Sequence, residues 1–287
     1  MKISIVVPIF NGKQYLEKCF DSIFAQNYKN FEVTVVDGYS TDGTWEVLDK
    51  YKKKYPERFR IIYSTLKGES EHINEGMQFS KGDIVAYLCA DDTYEPECFE
   101  RVAKYFNVHP KAQWVYGRTK IIDSGDKEIR GFITKAKEML QSRYNYNTLR
   151  CVNYIAEPSV FMRKSFYQQV GEYNKRLAFA ADYDYWLRAG RVCKPGFIKR
   201  HLANWRAHSG SISVNKYKAE AMQAFEAQKR YSNWWFRPIQ WVIYLATVML
   251  CLIISGKRHK RRSLGIDDLD KLVSKYGNSE ELSNDKD

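Results

Sequence analysis

Two adjacent carboxylates, Asp91 and Asp92, stand directly after a short apolar run at 84–88. Neighbouring carboxylates repel one another unless a cation neutralises them. Mg²⁺ and Mn²⁺ prefer oxygen ligands and leave coordination positions free for phosphates. The pair therefore predicts a site for Mg²⁺ or Mn²⁺ that also binds a diphosphate. The alternative is a solvated loop that caps a helix beginning near Glu95 and Pro96.

A second polar run, at 37–44, follows the apolar segment 31–36 and begins with Asp37. A carboxylate at the end of a buried strand can accept hydrogen bonds from a base or a ribose. Asp42, later in the run, suits either a helix cap or a ligand group. Its neighbouring glycines allow a tight turn and the close approach of a ligand.

Asn74 and Gly76 lie within a predicted helix at 71–79, although both residue types weaken a helix interior. Either the helix packs closely against a nucleotide, or it ends there. The chain contains neither GxGxxG nor GxxxxGK[ST]. This absence argues against dinucleotide cofactors and P-loop chemistry.

The segments that carry these residues alternate between two apolar patterns. Continuous β-branched runs predict buried strands, and apolar residues at helical spacing predict the helices between them. The predicted strands are 3–9, 31–36, 59–63 and 84–88, and the predicted helices include 13–26 and 71–79. The alternation indicates an α/β fold with a mostly parallel sheet flanked by helices. Ligands bind at the carboxyl ends of such strands, which is where the polar runs lie.

The middle of the chain is less regular. Ser124, Gly125 and Asp126 predict a hairpin turn. The segment 135–155 is rich in Tyr, Asn and Arg, and we expect it to be mobile or to face substrate rather than to form core. The pattern predicts a helix at 180–189, and a polar helix at 216–233.

Composition excludes several classes of protein. Apolar residues make up 44% and charged residues 28%, which excludes a disordered chain, a collagen and a polytopic membrane protein. The formal charge of +12 favours anionic partners. No nucleic-acid-binding motif accompanies this charge, so we do not expect the protein to bind nucleic acid. The six cysteines form no CxxC pair and no zinc-ligand spacing, which indicates a reducing compartment without disulfides. The short apolar N-terminus predicts a first strand, not a signal peptide.

Several motifs occur in a fixed order. They are Ile5-Val6-Val7-Pro8-Ile9-Phe10-Asn11, the run 37–44, Asn74-x-Gly76, Ala90-Asp91-Asp92, Asp182-Tyr183-Asp184-Tyr185-Trp186-Leu187-Arg188 and Trp205-Arg206-x-His208-x-Gly210-Ser211. Over roughly residues 2–213, the ordered set resembles the family-2 glycosyltransferases, which are inverting enzymes of the Rossmann-like GT-A fold. The family often has two acids where this chain has Asp37-Gly38, and Glu-Asp where it has Ala181-Asp182.

The resemblance implies a role for each matching residue. Phe10 would stack on the nucleotide base, and Asp37 would form a hydrogen bond with that base. Asp182 would be the general base. The implied nucleotide-sugar site comprises Pro8, Phe10, Asn11, Asp37, Ser40, Asn74, Gly76 and Asp91. The implied metal ligands are Asp92, as the direct ligand, Asp91 and His208, and Arg206 with His208 could support the diphosphate.

The reaction that follows is transfer of a sugar from a nucleotide-diphosphate sugar, with a UDP-sugar expected, to a saccharide or lipid-linked hydroxyl. The resemblance places it in polysaccharide or glycolipid biosynthesis. The second hypothesis is a nucleotidyltransferase, which also needs paired acids. Such an enzyme is expected to have a Gly-rich basic loop after its first strand, and this chain has there only Phe10-Asn11-Gly12-Lys13, with one glycine and one lysine. A non-enzymatic basic membrane-binding module is the third hypothesis, and it gives the acidic residues no task.

The predicted organisation has four parts. Residues 1–213 form the GT-A domain, with a nucleotide-sugar half at 1–110 and an acceptor half at 111–213. A helical connector at 214–236, a hydrophobic helix with a basic cluster at 237–262 and a charged tail at 263–287 follow.

The hydrophobic helix has three possible arrangements. The stretch 239–255 carries no charge, aromatic residues crowd its start, and six basic or titratable residues follow at 257–262. At 1.5 Å per residue it reaches about 26 Å, just short of a bilayer core. We expect attachment to the cytoplasmic face of a membrane, either through a helix that lies in the plane of the bilayer or re-enters it, or through a single span. A buried helix or an oligomer contact is the alternative.

Overall fold

The computed structural model describes residues 1–129, 131–208, 210–211, 216–246 and 249. Its strands are β1 (Ile3–Ile9), β2 (Phe31–Asp37), β3 (Phe59–Tyr63), β4 (Ile84–Tyr87), β5 (Thr93–Tyr94), β6 (Trp114–Ile122), β7 (Val160–Arg163) and β8 (Gly196–Arg206). Its helices are α1 (Lys13–Phe24), α2 (Thr44–Lys54), α3 (Glu69–Phe79), α4 (Cys98–Val108), α5 (Gly131–Gln141), α6 (Tyr146–Leu149), α7 (Lys164–Val170), α8 (Ala181–Val192) and α9 (Tyr217–Tyr231). Short 3₁₀ turns occupy Glu157–Ser159 and Trp234–Phe236.

The described strands form one mixed sheet in the order β3-β2-β1-β4-β7-β6-β8-β5. The first four strands in this order are parallel, as the sequence predicts. Beyond β4 the prediction of a mostly parallel sheet is wrong, because β7 runs antiparallel to both β4 and β6. The pair β6 and β8 is parallel again, and β5 pairs antiparallel with β8 at the far edge. The α/β class is therefore right, and the sheet is mixed.

The sheet separates two apolar layers, and alternate side chains of β1 contribute to one layer and then to the other. Ile5 and Val7 point into the layer that contains α1, α2 and α4, whereas Val6 points into the layer that contains α3, α7 and α8. This period of two is what a strand buried on both faces requires. Because both faces are covered, ligands can approach the parallel strands only at their ends.

The predicted hairpin at 124–126 is confirmed. Asp123 N donates to Lys127 O at 2.9 Å, and Ile129 N donates to Ile121 O at 2.8 Å. Asp126 takes the left-handed conformation, with φ of 68°, that tightens such a turn. The hairpin extends β6 toward the carboxyl edge of the sheet.

The expectation that 135–155 faces substrate is wrong for its second half. Leu149, Tyr154 and Ile155 are fully buried in the layer that contains α8. The hydroxyl of Tyr183 also donates to Leu149 O, which fixes α6 on α8. Polar neighbours concealed these apolar residues, because the segment has no regular period for a pattern to reveal.

Gly76 lies in the interior of α3, so the prediction of a helix end there is wrong. A Cβ at this position would stand 2.4 Å from Val6 Cγ1 and 3.1 Å from Val36 Cγ2. The glycine therefore lets α3 approach β1 and β2 at short range, and its packing partner is the sheet.

We expect Gly76→Ala to reduce the free energy of unfolding by about 1–3 kcal/mol. The valine side chains that face it are short and stiff, so they cannot swing away from an added methyl group. Gly131→Ala is the matched control, because its Cβ would meet no described atom within 4 Å. Urea unfolding of both variants measures the difference, and a Gly76→Ala protein as stable as the control would contradict the packing explanation.

The C-terminal predictions are only partly within the described residues. Residues 237–246 are helical, in agreement with the predicted hydrophobic helix. The remainder of 237–262, apart from Met249, and the tail at 263–287 lie outside the described residues. Among the residues that the structure does describe, no helix has both the length and the apolar character needed to cross a membrane.

Candidate active site

The loops that follow β1 and β2 lie side by side at the carboxyl edge of the sheet, joined by hydrogen bonds. Asn11 N donates to Ser40 Oγ at 2.8 Å, and Thr41 N donates to Asn11 Oδ1 at 2.8 Å. The Asp37 carboxylate is buried and accepts from both the amide and the hydroxyl of Ser40. These bonds fix the position of the Asp37 carboxylate.

Phe10 presents an open ring beside this carboxylate. Its side chain is 67% exposed, and its Cδ2 lies 3.4 Å from the point where a Cβ of Gly38 would stand. An exposed aromatic ring next to a fixed carboxylate can stack on a planar base. Pro8, in contrast, is buried within β1 opposite Val36, so its ring does not share the surface that Phe10 forms.

The Asp37-Gly38 pair has a structural explanation that the sequence did not provide. A Cβ at Gly38 would lie 2.8 Å from Cε1 of His72, so the imidazole excludes a side chain at this position. His72 is buried and its Nε2 lies 3.0 Å from Leu66 O. The ring therefore occupies the space where a second acid would extend.

Asp42 joins the first two helices instead of occupying the N-cap position of α2. That position belongs to Gly43, whose φ is 88°. The Asp42 carboxylate accepts from Lys13 N at 3.0 Å and from Thr44 N at 3.0 Å. Desolvation acts to raise the pKa of Asp42, but hydrogen bonds from the Thr44 hydroxyl and from the Lys13 and Thr44 amides together outweigh it and lower the pKa. The carboxylate is thus used within the protein.

Asp91 and Asp92 occupy the loop after β4. Asp92 is 1% exposed, and its Oδ1 accepts from Arg206 N at 2.8 Å. Burial raises the pKa of Asp92 well above the usual range for a carboxyl group, and repulsion from Asp91 raises it further. One ligand atom from each of Cys89, Asp91 and Asp92 lies within 4.8 Å of the others. The oxygens of this set suit a hard divalent cation, which would also relieve the repulsion.

Arg206 is committed to holding this loop. It is fully buried, and its Nε donates to Asp91 O at 2.7 Å. Its Nη1 donates to Asp123 O at 2.9 Å and lies 2.6 Å from Asp126 Oδ1. Its Nε and Nη1 are thus bonded to the acidic loop and the hairpin, whereas its buried Nη2 has no hydrogen-bond partner among the described residues. A role of Arg206 toward the diphosphate stays a prediction.

His208 contacts Asp91 directly. Its Nε2 lies 2.9 Å from Asp91 Oδ2, and Gly210 N donates to its Nδ1 at 3.1 Å. Because Nδ1 accepts a hydrogen bond, the neutral ring carries its proton on Nε2 and donates it to Asp91. His208 thus orients Asp91, and it can bind a metal through Nε2 only after that bond is given up.

Glu69 and Glu157 complete an acidic pocket that the sequence analysis missed. Cys89 Sγ lies 3.5 Å from Glu69 Oε1 and 3.9 Å from Glu157 Oε2. Desolvation, followed by repulsion from Asp91, raises the pKa of Glu69 to about 7, although part of its side chain reaches solvent. Desolvation and repulsion from Asp92 raise the pKa of Glu157 well above its usual range. The pocket therefore concentrates negative charge that a cation can balance.

The positions of Glu69 and Glu157 relative to the strand ends could have indicated that both belong to the site. Glu69 is the first residue of α3, which follows β3 at the carboxyl edge of the sheet. Glu157 stands directly before β7, and because β7 is antiparallel to β4, its start lies at the same edge. The first could have been found from the rule for strand ends, whereas the second required knowledge of the strand direction.

Asp182 lies near the start of α8 and faces the same pocket. Its negative charge contributes to the raised pKa of both Glu69 and Glu157. Desolvation raises the pKa of Asp182 itself. Hydrogen bonds from Tyr183 N and from Asn153 Nδ2, which lies 3.4 Å from Asp182 Oδ2, lower the pKa but do not cancel this effect. Such a carboxylate is a suitable proton acceptor, because its pKa lies above the usual range.

Asp184, two residues further on, is used inside the protein. It is buried, accepts from Arg188 Nε at 3.0 Å and accepts from Tyr231 Oη at 3.0 Å. These bonds connect α8 with α9. Of the two acids in the motif, Asp182 is thus the one that faces the acidic pocket.

Asn74 is bonded to the segment that follows α7. Its Nδ2 donates to Tyr173 O at 2.8 Å, and its Oδ1 accepts from Tyr173 N at 2.8 Å and from Tyr167 Oη at 3.2 Å. The side chain is buried and these bonds satisfy its acceptor and one donor. The prediction that Asn74 and Gly76 border the nucleotide pocket is therefore not supported by their contacts, which are with the protein interior.

Comparison with known proteins identifies the family. Residues 4–171 match the model described as Glycosyl transferase family 2, which is more than half of the chain. The chain belongs to glycosyltransferase family 2.

Curated relatives of this family-2 chain agree with the match. A glycosyltransferase of Rickettsia conorii is 28% identical over 223 residues, which cover 76% of this chain and 36% of the relative. A PGL/p-HBAD biosynthesis glycosyltransferase of Mycobacterium bovis is 28% identical over 200 residues, which cover 69% of this chain and 73% of the relative. The chain thus spans about a third of the length of the Rickettsia relative.

Solved structures share the GT-A fold of this family-2 chain. The mannosyltransferase PcManGT of Pyrobaculum calidifontis, in complex with GDP-Man and Mn²⁺, has a TM-score of 0.65 at 16% identity and covers 92% of this chain and 76% of its own. Residues 1–349 of S. aureus TarS, in complex with UDP-GlcNAc, have a TM-score of 0.62 at 17% identity and cover 79% of this chain and 66% of their own.

Proposed function

We propose that this protein is an inverting, metal-dependent glycosyltransferase that moves a sugar from a nucleotide-diphosphate sugar to a hydroxyl group. The observation that carries the proposal is the convergence of Asp37, Asp91, Asp92 and Asp182 at one edge of the sheet. Asp37 is fixed beside the open Phe10 ring, whereas the other three line the acidic pocket. A base-binding surface next to an acidic pocket matches the two ends of a nucleotide sugar.

The donor is expected to be a UDP-sugar. Asp37 Oδ1 accepts from both the amide and the hydroxyl of Ser40, whereas Oδ2 accepts only from the Ser40 amide among the described residues. Oδ2 therefore retains a lone pair for an N–H group of a base. Solved structures with the same fold contain UDP-GlcNAc or GDP-Man, which supports a nucleotide-sugar donor without selecting the base.

Asp91 and Asp92 would hold the Mg²⁺ or Mn²⁺ ion. Their oxygens are close enough to share one cation. Burial, together with repulsion from Asp91, raises the pKa of Asp92, so a bound cation would favour its charged form. Burial keeps Cys89 a neutral thiol by raising its pKa, so the carboxylates are the better ligands. A bound ion would offset the charge that develops on the leaving diphosphate.

Asp182 would accept the proton of the acceptor hydroxyl. A hydroxyl is a weak nucleophile, and a carboxylate on the face opposite the leaving group increases its reactivity as the new bond forms. In-line attack from that face inverts the anomeric centre. Asn153 would hold the carboxylate in position through its bond to Asp182 Oδ2.

The acceptor is proposed to be a saccharide or a lipid-linked hydroxyl in polysaccharide or glycolipid biosynthesis. The formal charge of +12 favours an anionic acceptor such as a lipid diphosphate. The name of the Mycobacterium bovis relative, a PGL/p-HBAD biosynthesis glycosyltransferase, is consistent with a glycolipid product.

A screen of nucleotide sugars for Mn²⁺-dependent binding and hydrolysis tests the function. We expect one nucleotide sugar to bind more tightly with Mn²⁺ than with EDTA, and to be hydrolysed slowly without an acceptor. Sugar 1-phosphates with nucleoside triphosphates are the control, because a nucleotidyltransferase would consume them. Turnover of these, with no response to any nucleotide sugar, would contradict the proposal.

A further inference from the structure

The C-terminal part of the described chain carries a cluster of exposed apolar side chains, which we call the apolar face. It begins in the Trp234–Phe236 turn, where Trp234 is 73% exposed and Trp235 is also exposed. It continues on the helix 237–246 and at residue 249. The helical members of the apolar face are Ile239, Trp241, Val242, Leu245 and Met249.

The opposite side of this helix is fixed on the GT-A domain. Gln240 is fully buried, and its Nε2 donates to Arg150 O at 2.9 Å and to Ser232 Oγ at 2.8 Å. Tyr244 packs against the buried Phe225 of α9, with ring centroids 5.5 Å apart. The helix therefore has a set rotation. The apolar face is turned away from the domain except at its edge, where the half-exposed Trp241 also contacts Phe225 with ring centroids 5.7 Å apart.

The apolar face is continuous and uncharged. At 100° per residue, positions 238, 239, 241, 242, 245, 246 and 249 fall within an arc of about 160°. These positions are Pro, Ile, Trp, Val, Leu, Ala and Met, without a polar residue among them. A stripe this wide is enough to bury a helix against another apolar phase.

The charges around the apolar face indicate what that phase is. Arg237 stands exposed at the start of the helix, and the run 238–256 that follows contains no charged residue. The sequence 257–262 then supplies five Lys or Arg residues and one His. Apolar and aromatic residues bracketed by cations match an anionic bilayer, where aromatic rings sit at headgroup depth and cations meet lipid phosphates.

We propose that the apolar face, formed by residues 234–246 and Met249, docks on the surface of an anionic lipid bilayer, with the GT-A domain held beside it by Gln240 and Tyr244. Bilayer docking accounts for both the apolar arc and the flanking cations. A second copy of the chain on this face would place the exposed Arg237 side chains of two chains beside the same apolar contact, which like-charge repulsion opposes. The proposal does not depend on the transfer reaction.

Vesicle sedimentation with the full chain tests the docking. We expect the protein to sediment with phosphatidylcholine vesicles that contain phosphatidylglycerol, and more weakly with phosphatidylcholine alone. Val242→Glu with Leu245→Glu is expected to lower the partition coefficient at least about tenfold, because it places two charges on the apolar face. The single variant Val242→Glu tests the apolar face, and Val108→Glu is its matched control. Both valines are 64% exposed, and both changes alter the net charge equally.

Three results would overturn the docking proposal. The first is equal vesicle binding by Val242→Glu and Val108→Glu, and the second is no vesicle binding by the unsubstituted chain. The third is a lipid-free dimer, measured by light scattering, that Val242→Glu converts to a monomer without changing vesicle binding, which would assign the face to a second copy. Unchanged thermal unfolding of the variants shows that their fold is retained.

Discussion

Replacing Asp92 with Asn is expected to lower the transfer rate by about a thousandfold. The substitution keeps an oxygen that can accept from Arg206 N, so the loop after β4 should retain its position. It removes one of the two charges that attract the divalent cation, at a buried site where water cannot substitute for them. Steady-state rates with Mn²⁺ measure the loss, and calorimetric titration should show weaker Mn²⁺-dependent binding of the nucleotide.

The control for this result is Asp49→Asn. Asp49 pairs with Lys53 on the surface of α2, so the same chemical change there should leave transfer within about twofold of the unsubstituted rate. Full activity of the Asp92→Asn protein, or unchanged turnover of the unsubstituted enzyme in EDTA, would rule out the metal role of this pair.

Replacing Asp182 with Asn should reduce the transfer rate by about a hundredfold to ten-thousandfold while donor affinity stays the same. A general base acts on the acceptor proton, so its loss affects chemistry and not donor binding. The base works only when ionised, so activity should fall as the pH falls through its pKa. Desolvation raises that pKa, which places the acid limb above the range of an ordinary Asp. The limb should be absent from the residual activity of Asp182→Asn.

Asp184→Asn separates this role from a structural one. Asp184 lies on the same helix but bonds to Arg188 and Tyr231, so its replacement should reduce thermal stability and leave the pH profile unchanged. If Asp184→Asn is inactive while correctly folded, and Asp182→Asn transfers sugar at the unsubstituted rate, then the other carboxylate of the motif is the base.

The first third of the fold could be predicted from sequence because its strands are buried on both faces. Such strands are continuous apolar runs, and β1 and β3 begin and end where the pattern places them. The strands β6, β7 and β8 escaped prediction, since their polar and apolar residues follow no single period. Strand direction also depends on contacts between distant parts of the chain, and β7 pairs with β4 over only two residue pairs.

The candidate site residues show the same difference between what local sequence patterns reveal and what depends on contacts between distant parts of the chain. Asp37, Asp91, Asp92 and Asp182 could be predicted because each belongs to a local motif at a strand end or a helix start. Arg206 matched a motif too, but its structural role in holding the acidic loop was not predicted, since neither its burial nor its partner at Asp123 can be read from neighbouring residues. Glu157 was missed for a related reason, because only the antiparallel direction of β7 brings it to the pocket.

The bond between Arg206 N and Asp92 Oδ1 joins residues 114 positions apart in the chain. One carboxylate of the predicted nucleotide-sugar half, 1–110, thus takes its orientation from the last residue of β8, in the predicted acceptor half, 111–213. A hybrid that exchanges the second half between relatives would keep the proposed metal ligands correctly aimed only if the incoming half supplies an equivalent of this arginine and its hairpin. Under the proposed function, acceptor preference and donor chemistry would therefore not be independently interchangeable, even though they are encoded in successive stretches of the chain.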